Sequence, residues 1–146
     1  QNNIKKLKQY QIDSGGKIQL LAISTCFQIP TCYSIIESEE WCNSIGVNFH
    51  LRFLEGPERL SAASLSDKSK NDLLQYYIAN KDKSQKSEMI ISYLKNHMGE
   101  KFHKPDSIKE FLRFMNYLDD NRNTNWKSVF PKIVEMIEKN EIPKAG

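Results

Sequence analysis

The strongest constraint on this fold is a strand–helix–strand pattern in the first half of the chain. Residues Lys17–Thr25 predict a strand whose centre, Leu20-Leu21-Ala22-Ile23, is apolar without alternation, which is typical of a parallel strand covered on both faces. A helix is predicted from Ser34 to about Ser44. Residues Val47–Phe53 then alternate apolar and polar side chains, as a second strand does. A crossover of this length makes the two strands parallel and adjacent, with a right-handed connection.

Two parallel strands are too few to form a stable sheet. Parallel sheets need several neighbouring strands, with helices on both faces. The chain begins at Gln1 rather than Met, and we expect further strands to precede it. The expected fold class is therefore α/β, in which a strand-bearing segment is followed by an all-helical C-terminal region.

The remaining periodicity predicts helices. One covers Asn2–Tyr10, and the turn Ser14-Gly15-Gly16 ends it. Beyond Ser66 the apolar spacing predicts helices over Asp67–Asn80, Ser87–His97, Pro105–Asp120 and from Pro131 onwards, with a short turn at Trp126–Phe130. The change from mixed to purely helical pattern predicts a boundary between residues 1–66 and 67–146.

The composition excludes several classes of function. The 146 residues are 39% hydrophobic and 27% charged with a formal net charge of +3, so the chain is neither disordered nor basic enough to imply nucleic acid or an anionic membrane. No apolar run approaches the roughly 20 residues of a membrane-spanning helix. The odd cysteine number and the lack of an Asn-x-Ser/Thr site favour a reducing cytoplasm; the cysteines are Cys26, Cys32 and Cys42.

Polar side chains on the second strand form the first candidate site. Asn48, His50 and Arg52 share one face of that strand. Arg52 lies near its carboxyl end, where parallel-sheet proteins gather their functional groups. The loop that follows, Leu54-Glu55-Gly56-Pro57-Glu58-Arg59, can hold a ligand through its backbone. For the strand, the alternatives are a solvated face or ordinary polar packing under a neighbouring helix. For the loop, the alternative is an ordinary Gly-Pro turn.

Other catalytic patterns do not occur in the sequence. It has neither the phosphate loop Gly-x-x-x-x-Gly-Lys nor the dinucleotide fingerprint Gly-x-Gly-x-x-Gly, and no Ser/His/Asp or Cys/His triad can be assembled. The cysteine spacing disfavours an iron–sulfur site, and His97 and His103 are predicted to face solvent. Asp119 and Arg122 have the spacing of a helix-end ion pair that would fix the turn before Trp126.

Four stretches resemble the C-terminal half of radical SAM proteins of the twitch-domain group. Asn3-Ile4-Lys5-Lys6-Leu7 resembles the helix before the fifth barrel strand of that family. The segment from Ser24 to Trp41 resembles the fifth strand and the helix after it, and the segment from Asn48 to Leu60, with its Gly56-Pro57-Glu58 loop, resembles the sixth strand and its exit. The terminal motif of the family resembles Leu118-Asp119-x-x-Arg122-Asn123-Thr124-Asn125-Trp126 followed by Val129-Phe130-Pro131.

The resemblance implies a fold, a cofactor set and site residues. Residues 1–66 would be the C-terminal part of a partial (β/α) barrel, and residues 67–146 a helical, twitch-like cap. The partner would be an N-terminal half-barrel whose Cys-x-x-x-Cys-x-x-Cys motif holds a 4Fe-4S cluster; that motif is absent here. The residues implied to border S-adenosylmethionine are Thr25, Arg52, Phe53 and Leu54, and those implied to lie on the substrate side are His50, Glu55 and Arg59.

The functional expectation is therefore the C-terminal portion of a cytoplasmic radical enzyme, catalytically inert alone, acting with its other half on a peptide or small molecule. The resemblance gives Cys26, Cys32 and Cys42 no part in an auxiliary cluster. The alternative, from a different class, is a protein- or peptide-docking module over Asp67–Asn140 that performs no chemistry. Its positive charge would favour an acidic partner.

Overall fold

The fold combines a small parallel sheet with a largely helical remainder. The computed structural model describes residues 2–15 and 21–142, and these residues are 65% helical with two parallel strands. Single turns of 3-10 helix occur at Ile29–Thr31, Glu58–Leu60, Ala62–Ser64 and Lys81–Lys83. The longer elements, in chain order, are α1 (Asn2–Asp13), β1 (Ala22–Phe27), α2 (Ile35–Ser44), β2 (Asn48–Phe53), α3 (Asp67–Ala79), α4 (Ser87–Asn96), α5 (Pro105–Arg122), α6 (Trp126–Val129) and α7 (Pro131–Asn140).

The predicted parallel pairing of the two strands is confirmed. They run in register from Ala22 opposite Asn48 to Phe27 opposite Phe53. Positions 17–20 of the predicted first strand lie outside the described residues. At its other end the strand continues past Thr25 to Phe27, because the Phe27 ring is fully buried.

The expectation that both faces of the first strand are covered is not met within the described ranges. Ala22 and Ser24 are exposed, whereas Ile23 and Thr25, which alternate with them, are partly buried. The helices of the described ranges pack against one side of the sheet, so the other side is left bare.

Helix boundaries follow the capping signals in the sequence. The Ser66 hydroxyl accepts a hydrogen bond from the Ser69 backbone N–H and so caps α3. Pro105 and Pro131 occupy the first turns of α5 and α7. Gly46, with φ of 65°, follows the end of α2 in the left-handed conformation that favours glycine.

The core is organised around the ring of Phe27. This fully buried ring meets Phe53 of β2, Tyr77 of α3 and Tyr93 of α4 edge-on, at centroid distances of 5.8, 6.0 and 5.7 Å. The Tyr77 hydroxyl also donates a hydrogen bond of 2.5 Å to the Cys32 carbonyl. The hydrophobic core therefore crosses the boundary predicted after residue 66 and joins the sheet segment to the helical segment.

Helix α1 lies outside this core. None of its residues is buried, and its apolar side chains Leu7, Tyr10 and Ile12 are 49%, 57% and 62% exposed. Its apolar face is therefore available to another surface.

Among the helices of the described ranges, none combines the length and apolar character that crossing a bilayer requires.

The turn before α6 is fixed by Asp119, as predicted, although through different partners. Its carboxylate accepts hydrogen bonds from the Trp126 backbone N–H, at 2.9 and 3.0 Å, and from the Thr124 hydroxyl at 2.8 Å. No ion pair with Arg122 forms in the described part of the chain. The carboxylate instead anchors the start of α6 and the buried Trp126 ring.

We expect Asp119→Ala to lower the free energy of unfolding by about 1–2 kcal/mol, the typical cost of losing a capping side chain. Asp120→Ala is the matched control, because Asp120 is an exposed neighbour with no hydrogen-bond or ion-pair partner in the described ranges. Urea unfolding monitored by tryptophan fluorescence measures both variants. Equal losses in the two would contradict the anchoring role.

Helix α7 is attached to α3 through Asp72. Its Oδ2 accepts hydrogen bonds from Lys139 Nζ at 2.9 Å and Asn140 Nδ2 at 2.8 Å. Partial burial raises the pKa of the Asp72 carboxyl, but these two donors outweigh that effect and hold the pKa below its ordinary value. The ionised form is therefore favoured by folding.

The stability contributed by Asp72 should be present above the ordinary aspartate pKa, about 3.9, and lost as the pH falls through its lower folded value. We expect Asp72→Asn to lower the free energy of unfolding at pH 7 by about 0.5 kcal/mol, because the pair is partly exposed. The difference from wild type should vanish in strong acid. Glu138→Gln on the exposed face of α7 is the control, and a pH-independent difference in Asp72→Asn would contradict the assignment.

Candidate functional site

The bare face of the sheet carries a row of polar side chains. In-register residues of parallel strands point to the same side, and the register places Ser24 beside His50 and Cys26 beside Arg52. His50, Arg52 and Ser24 are exposed, and Cys26 is partly buried. The structure therefore brings together two predicted site residues, His50 and Arg52, on the side away from the helices.

Thr25 points to the opposite side. It lies in register with Leu51, and both are partly buried on the helix-covered face, where Phe27 and Phe53 also lie. Of the residues implied to border the cofactor, Thr25 and Phe53 therefore share one face of the sheet and Arg52 lies on the other. The alternation of side chains along a strand explains this difference. Arg52 is in register with Cys26, which is one position after Thr25 and therefore points to the other side.

A cavity of about 490 Å³ opens where β2 ends. Its first wall is the strand end and the following loop, including Phe53, Leu54 and Glu55, three of the predicted site residues. Its second wall is built by α4 and the loop between α4 and α5. We call this space the β2-end cavity; its further lining residues are Glu58, Ser61, Ala63, Ser64, Tyr93, His97, Lys101, Phe102 and Lys104.

A row of rings forms the apolar wall of the β2-end cavity. Phe53 and Tyr93 stack with centroids 4.3 Å apart and an interplanar angle of 11°. Tyr93 contacts His97 at 4.2 Å, and His97 contacts Phe102 at 5.0 Å. Burial raises the pKa of the Tyr93 hydroxyl, although hydrogen bonds with Ser61 and the Ala63 backbone oppose this, so Tyr93 stays neutral near pH 7.

His97 has a defined protonation pattern when neutral. Its Nδ1 lies 2.8 Å from the Tyr93 carbonyl oxygen, four residues earlier. A carbonyl can only accept, so Nδ1 carries the proton and Nε2 is left as an acceptor. In the described part of the chain Nε2 has no hydrogen-bond partner. His97 was predicted to face solvent; it is partly buried at the cavity wall, with its ring between Tyr93 and Phe102.

The loop after α4 is held in place by α3. The fully buried Lys70 side chain donates from Nζ to the His97 carbonyl at 2.6 Å and lies 3.5 Å from Asp67. Burial lowers the pKa of Lys70, and Asp67 opposes this shift. Asp67 also accepts the Gly99 backbone N–H at 3.0 Å. These contacts fix the second wall of the cavity relative to the helical core.

We expect Lys70→Met to lower the free energy of unfolding by about 1–2 kcal/mol, because it leaves the His97 carbonyl without its donor. Backbone amides after His97 should exchange hydrogen faster as the loop loses its anchor. Lys68→Met is the control, since Lys68 is exposed on the same helix. Unchanged exchange in Lys70→Met would show that the loop does not depend on this lysine.

Two further predicted groups lie away from the β2-end cavity. The Arg59 guanidinium lies 4.9 Å from the centroid of the Phe114 ring of α5, and its buried Nε has no hydrogen-bond partner among the described residues. His103 Nε2 lies 3.4 Å from the buried Glu141 carboxylate, so it too is not simply a solvent-facing residue. The buried Glu141 carboxylate in turn accepts hydrogen bonds from the backbone and hydroxyl of Ser66.

The three cysteines are not grouped with other metal-ligating side chains in the described part of the chain. Cys32 and Cys42 are buried, and burial raises the pKa of both thiols, which disfavours the thiolate that binds metal. Over residues 2–15 and 21–142, no group of three or more His, Cys, Asp or Glu side chains is arranged to hold a metal ion. An iron–sulfur cluster therefore does not fit the cysteines of this chain.

Comparison with known proteins adds no further assignment, since no family model, curated protein or solved structure matches the chain. The chemistry of the bare sheet face and the β2-end cavity is therefore the basis for assigning a function.

Proposed function

We propose that this chain is the C-terminal portion of a radical S-adenosylmethionine enzyme, in which its two strands complete a partial (β/α) barrel. The observation that carries the proposal is the bare polar face of the sheet, on which His50 and Arg52 are both exposed. In a barrel, the helices cover the outer face of the strands, the strands' other face points inward, and the site lies at the carboxyl ends of the strands. The helix-covered side here would be the outer face.

Two surfaces support a partner beside the sheet. Within the described ranges β1 is paired on one side only, by β2, so its other edge offers unpaired backbone groups to a further strand. The exposed apolar side chains of α1 add a surface that a neighbouring barrel helix could cover. The partner in this proposal is the N-terminal half-barrel.

The roles of the side chains follow from their sides of β2. Arg52 and His50 would face the barrel interior, whereas Phe53, Leu54 and Glu55 would form the rim that leads into the β2-end cavity. S-adenosylmethionine, when bound, supplies the radical chemistry after reductive cleavage. The residues of this chain would orient the cofactor and substrate and exclude water. The N-terminal half would hold the 4Fe-4S cluster, because residues 2–15 and 21–142 contain no set of ligands for it.

Two of the predicted site residues, Thr25 and Arg59, receive no role at the site in this proposal. Thr25 faces the helices, and Arg59 contacts Phe114, so neither is assigned a contact with cofactor or substrate. The proposed setting is the cytoplasm, where a reduced cluster and free thiols persist. The substrate is a small molecule or peptide, with neither nucleic acid nor membrane required.

The test begins with the coding sequence upstream of Gln1, read for about 150 codons, roughly the missing part of a ~250-residue barrel. An in-frame Cys-x-x-x-Cys-x-x-Cys is expected there. The longer chain, loaded with iron and sulfide without oxygen, should release 5′-deoxyadenosine from S-adenosylmethionine when reduced. A start codon or unrelated sequence upstream would overturn the proposal.

In that longer chain, we expect Arg52→Ala to lower 5′-deoxyadenosine formation about tenfold, equivalent to about 1.4 kcal/mol of lost interaction. Arg113→Ala, on an exposed position of α5, should leave it unchanged. The iron content and absorbance of the cluster serve as the folding control. Equal rates in the two variants would remove Arg52 from the site.

A docking module is the second candidate, favoured by an open groove between α3 and α7. Tyr33 and Tyr76 meet edge-on at 5.0 Å in this groove, which has a volume of about 360 Å³ and also contains Lys132 and Lys139. An independent module over Asp67–Asn140 must fold without the rest of the chain. Since Tyr77 and Tyr93 pack on Phe27, we expect residues 67–146 alone to unfold without cooperativity; a sharp thermal transition would favour docking.

A further inference from the structure

The charged rim of the β2-end cavity has two walls of opposite sign. Glu55 and Glu58 belong to the loop that follows β2, whereas Lys101 and Lys104 belong to the loop between α4 and α5. All four side chains are exposed at the rim. In the described part of the chain none of them takes part in an ion pair within 4.0 Å.

This separation leaves both signs of charge available to a ligand. A purely anionic ligand would be attracted by the lysines and repelled by the glutamates, and a purely cationic ligand would meet the reverse. A ligand that carries an ammonium and a carboxylate satisfies both walls. The acceptor Nε2 of His97 offers a further partner for a ligand N–H.

The ring-lined interior of the cavity favours a ligand that has an apolar group as well as its two charges. Phe53, Tyr93 and Phe102 supply ring surface, and the volume of about 490 Å³ lies in the range of small-molecule sites. The Lys101 ammonium lies 4.8 Å from the Phe102 ring centroid, which places the positive charge next to apolar surface. A carboxylate beside Lys101 can therefore be continued by a hydrophobic group.

We propose that the β2-end cavity binds a free α-amino acid with an apolar or aromatic side chain. Its carboxylate faces Lys101 and Lys104, its ammonium faces Glu55 and Glu58, and its side chain contacts the rings. This inference goes beyond the proposed function, because the cavity is walled by Phe53 and α4 on the helix-covered side of the sheet, whereas His50 and Arg52 lie on the other side. Its test uses binding to the 146-residue chain and does not depend on radical chemistry.

The probes are L-phenylalanine and two analogues that each lack one charge, 3-phenylpropionate and 2-phenylethylamine. Each is titrated into the chain and followed by amide NMR shifts of cavity residues. We expect each analogue to bind roughly fivefold more weakly than phenylalanine, the factor for an interaction of ~1 kcal/mol. Equal affinity for all three, or shifts outside the cavity, would overturn the proposal.

Paired variants then assign each charge of the ligand to a wall. Lys101→Gln with Lys104→Gln should weaken phenylalanine about fivefold without weakening 2-phenylethylamine. Glu55→Gln with Glu58→Gln should weaken phenylalanine without weakening 3-phenylpropionate. Lys83→Gln with Glu138→Gln, two exposed residues outside the cavity, is the control, and thermal unfolding confirms that all variants fold. Uniform loss for every probe would overturn the assignment of walls.

One competing source of the same chemistry is the amino-acid group of S-adenosylmethionine itself. Displacement of phenylalanine by S-adenosylhomocysteine would assign the cavity to the cofactor and overturn the assignment to a free amino acid, whereas a lack of displacement supports that assignment. Phenylalanine binding in a chain whose longer form fails to cleave S-adenosylmethionine supports the amino-acid site and overturns the radical function alone. Cleavage of S-adenosylmethionine by the longer chain without phenylalanine binding would support the radical function and overturn the amino-acid site.

Discussion

The packing of three aromatic rings around Phe27 is the contact on which the rest of this arrangement depends. Phe27 lies at the end of β1, and its neighbours come from β2, α3 and α4. Because Phe53 and Tyr93 touch Phe27 on one side and line the β2-end cavity on the other, the hydrophobic core and the cavity wall share the same side chains. The ring-lined wall of the cavity is therefore positioned by core packing, whereas Lys70 and Asp67 hold the loop that forms the second wall.

The secondary structure could be predicted from local signals. Strand direction followed from the length of the crossover, and helix ends followed from Ser66, Pro105, Pro131 and Gly46, whose backbone preferences act over a few residues. The extension of β1 to Phe27 was missed, because it depends on burial among residues distant in the sequence.

The candidate site was predicted less completely. Phe53, Leu54 and Glu55 were found from their position at a strand end, and the structure brings them to one cavity. Thr25 was grouped with Arg52 by position along the strands, although the register places it on the other face. The position of His97 in the cavity wall was not predicted, because a buried lysine on α3, which is distant in the sequence, fixes its loop. The four-residue spacing from Tyr93 to His97 was the one local signal that could have placed both on one face of α4.

Lys70 fixes the backbone of the loop after α4 but not the side chains that this loop presents at the cavity rim. Lys70 and Asp67 contact the loop through the backbone of His97 and Gly99, so they hold its path without specifying the side chains at Lys101 and Lys104. Substitutions at those two positions can change the charge presented to a ligand while the backbone stays where the core places it. Exchange of these rim side chains would therefore change the ligand preference of the cavity without altering the backbone that forms it.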